Sequence, residues 1–302
     1  MTITDEEIKK LIRAGEIAKR VREEAERVAE PGMKLLELAG IIESKIIELG
    51  GAPAFPVNLS INEIAAHYTP IINDDTRIPD GAILKIDIGV HIDGYIADTA
   101  TTITFNPAYE GLLEASRKAL GKALENIAPG VKANTIGKII EETITSMGYK
   151  PIKNLTGHSI GHYQIHSGKS IPNFHDLFSR WSFTDGVYAI EPFATDGAGY
   201  VREGAIATIY SLRKTRLRGR ITPQEKLFYQ RVWDERKTLP FCERWYRNVA
   251  RSIEGLRTTL KLMYSHGLLI VYPVLIEKAG GMVAQFEHTF IISGKDVIIT
   301  TA

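Results

Sequence analysis

A single cysteine, Cys242, is present, so no disulfide framework can hold this chain together. A reduced, cytoplasmic setting is the expectation. No stretch approaches the ~18 apolar residues of a membrane span. The opening MTITDEEIKK sets acids where a secretory signal needs positive charge and then an apolar run. An excess of one charge is also missing. Lys and Arg number 37 against 36 Asp and Glu, a net +1, which gives no global field for nucleic acid or an anionic membrane. The apolar fraction of 44% and charged fraction of 24% sit near the globular average and exclude a disordered, collagen-like or coiled-coil chain. What is left is a globular protein of 302 residues, enough for one large core or two modest domains.

The first segment reads as a helix. Thr4 and Glu7 form a T-x-x-E capping box, and Ile8, Leu11, Ile12, Ile17, Ala18 and Val21 repeat at helical spacing. Pro31-Gly32 interrupts, and a second helix runs from Leu35 to Leu49, stopped by Gly50-Gly51. The pattern then returns. PGMKLLELAGIIESKIIELG, Pro31 to Gly50, aligns without gaps with PGVKANTIGKIIEETITSMG, Pro129 to Gly148. Each copy leads into Asp-Gly, an apolar strand and a carboxylate: Asp80 to Asp87 in the first, Asp185 to Glu191 in the second. A duplicated helix–helix–strand unit predicts two halves related by a pseudo-twofold axis, with a natural site between them.

From about Ser211 to His266 the composition shifts. A basic run, Arg213 to Arg220, precedes Thr222-Pro223 and Glu225, which open a helix. Leu227, Phe228, Val232 and Trp233, then Phe241, Trp245, Val249, Ile253 and Leu256, continue at helical spacing. Residues 211–266 are therefore expected to be a helical insert. The main domain comprises 1–210 and 267–302, with strand character returning in VYPVL and MVAQFEHTFII. The basic run reads as a solvated insert surface in preference to a contact with a ribosome or RNA. No aromatic interleaving accompanies it.

The most informative stretch is ILKIDIGVHIDGYIADTATTITF. Asp93-Gly94 is a two-residue hairpin signal. It pairs Ile92 with Tyr95 and Gly89 with Asp98, which leaves Asp87 diagonal to Asp98 on the same face, Cα atoms about 7–8 Å apart. A one-residue slip would separate them. Such a pair faces solvent, pairs with Arg or Lys, or holds a cation. Lys85 is placed to cap the strand edge and leaves Asp87 without a counter-charge. NLTGHSIGHYQIHSG carries His158, His162 and His166, whose spacing of four puts them on one face. Glu191 and Glu287 sit inside apolar strands, where an unpartnered acid is costly. Four carboxylates and an imidazole suit two divalent cations.

The series Asp87, Asp98, His158, Glu191, Glu287 resembles the metal site of the methionine aminopeptidases, which share the pita-bread fold with prolidases and creatinases. The strings AAHYTP, GHSIG and AQFEHT, and the insert, resemble the type 2 subfamily in its compact archaeal form. The resemblance implies an α+β pita-bread fold: duplicated halves around a curved antiparallel sheet, with a winged-helix-like insert. It implies two divalent ions (cobalt, manganese, iron or zinc), Asp87 on one, His158 and Glu191 on the other, Asp98 and Glu287 bridging. It further implies metal-hydroxide attack on the first peptide bond of nascent polypeptides that begin with methionine and a small residue. Glu191 shuttles the proton, His67 contacts the leaving side of the amide, and His166 stabilises the oxyanion. Phe55, Ile165 and Tyr272 receive the methionine side chain. His162, His175 and His288 take no role. A cytoplasmic monomer near the ribosome, without membrane or specific nucleic-acid partners, is the corresponding expectation. The rivals are a proline dipeptidase, which usually carries an additional N-terminal domain, and a non-catalytic binding protein on the same fold.

Overall fold

The computed structural model describes residues 3–214 and 221–302. The basic run therefore lies outside the described residues from 215 to 220. Among the described residues six α-helices form: α1 Asp5–Val28, α2 Leu35–Glu48, α3 Glu110–Glu125, α4 Ala133–Ser146, α5 Pro223–Arg236 and α6 Ile253–Ser265. Both predicted capping boxes are made, Thr4 with Glu7 and Thr222 with Glu225. Among the described residues no helix is long and apolar enough to cross a membrane.

The sequence repeat is a repeat of backbone hydrogen bonds. Gly32 N donates to Ile78 O and Ile78 N to Met33 O; in the second half Gly130 N donates to Phe183 O and Phe183 N to Val131 O. Gly32 and Gly130 have φ of 84° and 86°, and the exit glycines Gly50 and Gly148 have 85° and 86°, a left-handed geometry that glycine adopts without cost. Each half packs its helices on its own core. One cluster joins α1 and α2 to the strand Ile83–Ile92 through Ile17, Val21, Leu38, Ile42, Leu84 and Ile86. The other joins α3 and α4 to Tyr188, Ile190 and Phe290.

All strand pairs are antiparallel. The long hairpin Ile83–Ile92/Tyr95–Thr104 has the predicted register, with Ile92 opposite Tyr95 and Gly89 opposite Asp98. Asp93 and Gly94 make the turn with φ of 50° and 86°, matching the right-handed twist of the strands. The two halves join where the second hairpin strand meets the last sheet. Ala100 and Glu287 exchange backbone hydrogen bonds of 3.3 and 3.0 Å.

Three expectations are corrected. Lys85 does not cap a strand edge; it is fully buried and donates to Asn62 O at 2.6 Å. Its strand runs between two others, with Lys85 opposite Ser60 and Thr102, and burial lowers the ammonium to about 7. Phe241 to Val249 is not α-helical. Phe241–Cys242 pairs with Ile209 and Tyr210, and Glu243–Val249 is an irregular 3₁₀ segment; an available strand edge outweighs local periodicity. Glu191 and Glu287 are not inside continuous strands. Glu191 separates Gly186–Ile190 from Phe193–Thr195, and Glu287 separates Val283–Gln285 from the strand beginning at His288. At Glu191 the chain passes from the five-stranded sheet to the three-stranded one, and at Glu287 it passes back; the breaks release the side chains from strict alternation.

The insert region collects its own core of Phe228, Tyr229, Val232, Tyr246, Leu256, Leu260 and Met263. It stands on the strands Val201–Leu212 and Leu269–Glu277, the first of which continues past residue 210. At the far end of this ladder the buried Glu277 carboxylate accepts the backbone N–H groups of Ala198, Gly199, Ala279 and Gly281. Burial pushes this acid up, yet the four donors outweigh it and hold the carboxyl below its ordinary 4.5. Its stabilisation is therefore complete at neutral pH and is lost as the pH falls below 4.5. Glu277→Gln is expected to cost about 2–3 kcal/mol in urea unfolding at pH 7, and less at pH 4. A pH-independent cost would contradict the charged clamp.

Candidate metal centre

The site is built from strand ends of both halves. Asp87 and Asp98 come from the hairpin, and the cross-strand neighbour of Asp87 is Asn58. His158 lies on the strand Thr156–Ile160, paired with Ala189. Glu191 follows the next strand, and His288 pairs with Ile190, so Glu287 falls beside Glu191. Threonines lock the ligand-bearing strands. Asp98 N donates to Thr289 Oγ1 and Thr289 Oγ1 to Asp98 O, both at 2.8 Å, and Thr99 Oγ1 donates to Glu287 O at 2.8 Å.

These placements bring all five residues to one cavity of about 320 Å³. Ligand atoms of Asp98, His158 and Glu287 lie within 4.8 Å of one another. His158 Nε2 is 3.5 Å from Asp98 Oδ2 and 3.7 Å from Glu191 Oε1. Gln285 adds a tie, donating from Nε2 to Glu191 Oε2 and Glu287 Oε2, each at 3.3 Å. Its place in AQFEHT, two residues before Glu287, was the only sequence signal for it.

The electrostatics do not balance by protein charge alone. Burial, then the neighbouring carboxylates, push Asp87, Glu191 and Glu287 well above their ordinary range. Burial raises Asp98 to about 7. Burial also holds the His158 imidazole down at about 4, so it is neutral at neutral pH and a competent ligand. Among the described residues no Lys or Arg pairs with the four acids. Asp87 Oδ1, Asp98 Oδ1 and Glu287 Oε1 are buried without a hydrogen-bond partner. Oxygen-rich ligands with one imidazole, converging and unpaired, fit divalent cations.

Two further histidines, His67 and His166, line the same cavity. His67 follows the short strand Ile64–Ala66 and has φ of 65°, a left-handed conformation rare outside glycine. Its Nδ1 lies 3.3 Å from Pro273 O. A carbonyl only accepts, so Nδ1 carries the hydrogen and Nε2 is a bare acceptor. Burial, then His166, lower this ring to about 4. His166 stands edge-on to His158, ring centres 4.4 Å apart, and burial lowers it to about 3. His162 does not share their face. The chain turns after Ile160, and His162 Nε2 meets Asp93 O at 2.7 Å near the surface. His288 faces away, toward Thr301 and Arg22.

Phe55, Ile165 and Tyr272 also line the cavity. The Phe55 ring occupies the space that a Cβ on Gly89 would need, so that glycine is required by close approach. Tyr272 meets His67 edge-on at 5.7 Å and shares a hydrogen bond of 3.1 Å with Ser211. Asn58, Ile209 and Pro240 line it too, and sequence reasoning had not singled them out. The buried Asn58 Oδ1 has no partner.

A pita-bread sheet holding four carboxylates and an imidazole defines a metal-dependent hydrolase of the metallopeptidase class. Residues 9–293 match metallopeptidase family M24, and the chain belongs to that family. Relatives matching over nearly their full length include methionine aminopeptidases: that of Pyrococcus horikoshii is 48% identical over 298 residues, 98% of this chain and 99% of its own length. A solved structure described as a thermophilic Arx1 superposes with a TM-score of 0.85 at 18% identity, covering 99% of this chain and 91% of that one. The methionine aminopeptidase of Thermotoga maritima superposes with a TM-score of 0.72 at 21% identity, covering 100% and 99%.

Proposed function

We propose that this protein removes the N-terminal methionine from polypeptides whose second residue is small. The observation that carries the reading is the convergence of four uncompensated acids, Asp98 and Glu287 buried and Asp87 and Glu191 half-buried, and a neutral imidazole on one largely apolar cavity. Asp87, Asp98, His158, Glu191 and Glu287 would hold two divalent ions, cobalt, manganese, iron or zinc, with Asp98 and Glu287 shared between them. Once bound, such ions acidify a water for attack on the first peptide bond and polarise its carbonyl. The rest falls to side chains of the cavity wall. His67 Nε2, bare at neutral pH, accepts the N–H of the scissile amide. His166 donates to the carbonyl oxygen as it gains negative charge. Glu191 passes a proton to the leaving amine. Phe55, Ile165 and Tyr272 receive the methionine side chain. On this reading the protein works as a monomer in the cytoplasm, on nascent chains near the ribosome.

The test is methionine release from Met-Ala-Ser by chelated protein before and after adding manganese or cobalt. Release is expected only after the metal is restored. No metal-dependent release would reject the aminopeptidase reading, and cleavage of Xaa-Pro dipeptides in its place would mark a proline dipeptidase.

A further inference from the structure

The insert packs against the loop that follows His67, with Ile72 on its apolar cluster and hydrogen bonds from Arg244, whose guanidinium also forms a buried ion pair with Glu43 of α2. His67 sits in a strained left-handed conformation, which persists only where its surroundings dictate it. Its own ring has one anchor, at Pro273 O. The residues that follow are anchored far more firmly. Arg244, in the 3₁₀ segment of the insert, donates from Nε to Pro70 O at 2.6 Å and from Nη2 to Thr69 Oγ1 at 2.8 Å. The other side of the same guanidinium forms a bidentate pair with Glu43 of α2, at 2.8 and 2.9 Å. Glu43 also accepts Trp245 Nε1 at 2.8 Å and Val57 N at 3.3 Å. Val57 is two residues past Phe55, and Thr69 two past His67. One ion pair therefore grips both loops that bring Phe55 and His67 to the cavity.

We propose that Arg244 is a positioning residue for His67, and that the insert serves the active site through the Glu43–Arg244 pair. The proposal rests on the functional reading above. Both side chains are about 10% exposed. A buried ion pair is a poor source of net stability, because desolvation offsets most of the attraction; its strength is geometric definition. Arginine supplies what the geometry needs: a rigid fork whose donors point two ways at once. The neighbours act in the same direction. Glu243 accepts Ile72 N at 3.0 Å, and Arg236 lies over Trp245 at 4.3 Å while donating to Pro53 O at 2.7 Å. The candidate metal-site residues come from other strands, and Arg244 and Glu43 bond to none of them directly; the nearest link is Asn58, which follows Val57 and pairs with Asp87.

Two variants test this. Arg244→Lys keeps a charge beside Glu43 but cannot fork to Thr69 and Pro70. Thr69→Val leaves the ion pair whole and removes only the Thr69 contact. Three readings are taken on the full chain: manganese affinity by calorimetry, the His67 ring ¹⁵N signals assigned with His67→Gln, and kinetics on Met-Ala-Ser. The expected result is unchanged manganese affinity and a displaced His67 ring signal. With it, kcat falls about 10- to 100-fold in Arg244→Lys while KM stays within about 3-fold. A lowered thermal midpoint with kcat and the His67 signals at wild-type values would make Arg244 a structural tie and overturn the proposal. Should Arg244→Lys fail to fold, Thr69→Val decides by the same readings. Should the wild-type protein release no methionine, the functional reading fails on its own, and the ring signals still decide whether Arg244 positions His67.

Discussion

Asp98→Asn is expected to abolish metal-dependent methionine release and, at pH 8, to make the chelated protein more stable. Both effects follow from where Asp98 lies. It is the carboxylate closest to His158 Nε2 and belongs to the cluster with Glu287, so its loss removes the ligand expected to serve both ions. Removing groups that merely support metal ligands costs about 10- to 100-fold in affinity; removing a shared ligand costs more, and activity falls by about three orders of magnitude or beyond. The stability effect has the opposite sign. Asp98 is raised by burial to about 7 from an ordinary 3.8, so the folded state binds its proton more tightly than the unfolded state. That contribution is present at low pH and is lost as the pH rises through about 7. At pH 8 the metal-free protein carries buried, mutually repelling acids, and the amide relieves part of that burden, raising the thermal midpoint by about 5 °C. Added manganese should stabilise the wild type and leave the variant unmoved. A variant that binds manganese as tightly as the wild type would show that Asp98 is not a ligand.

His67→Ala is expected to keep the metals and lose most turnover. His67 lines the cavity that holds the acids, and its Nδ1 is engaged by Pro273 O, so Nε2 is the ring nitrogen left for the substrate. Positioned groups of this kind contribute about 10²- to 10⁴-fold, and a loss of kcat near 10³-fold with an unchanged manganese titration is the expected outcome. The left-handed backbone complicates alanine, which tolerates it poorly. His67→Asn, a residue enriched in that region, separates strain from chemistry and should be equally inactive while melting closer to wild type. Calorimetry showing the metals lost in both variants would remove His67 from the substrate side of the site.

Much of the site was legible in the chain because its determinants are local. The Asp93-Gly94 turn and a side-chain period of two set the hairpin register, and with it the diagonal of Asp87 and Asp98. The Pro-Gly entries and Gly exits revealed the two halves, since left-handed positions call for glycine regardless of distant contacts. The capping boxes, Thr4 with Glu7 and Thr222 with Glu225, were equally local. Lys85 escaped this logic: nothing near it in sequence says that the chain around Asn62 folds over its ammonium. The four-residue spacing of His158, His162 and His166 also misled, because a turn after Ile160 sent His162 outward while His166 came back to the site.

By itself, then, the sequence determined the elements, the duplicated plan and the residue types able to hold metals, all of which depend on interactions within a few residues. Only the tertiary structure decided which of them meet. Asp98 faces Glu287 because Ala100 and Glu287 pair across the halves, and Arg244 reaches Glu43 from 201 residues away. Such contacts are selected by burial summed over the whole core and by the sheet pairing it permits. No local pattern encodes that sum, which is why candidate metal ligands could be named from the chain while the clasp behind His67 could not.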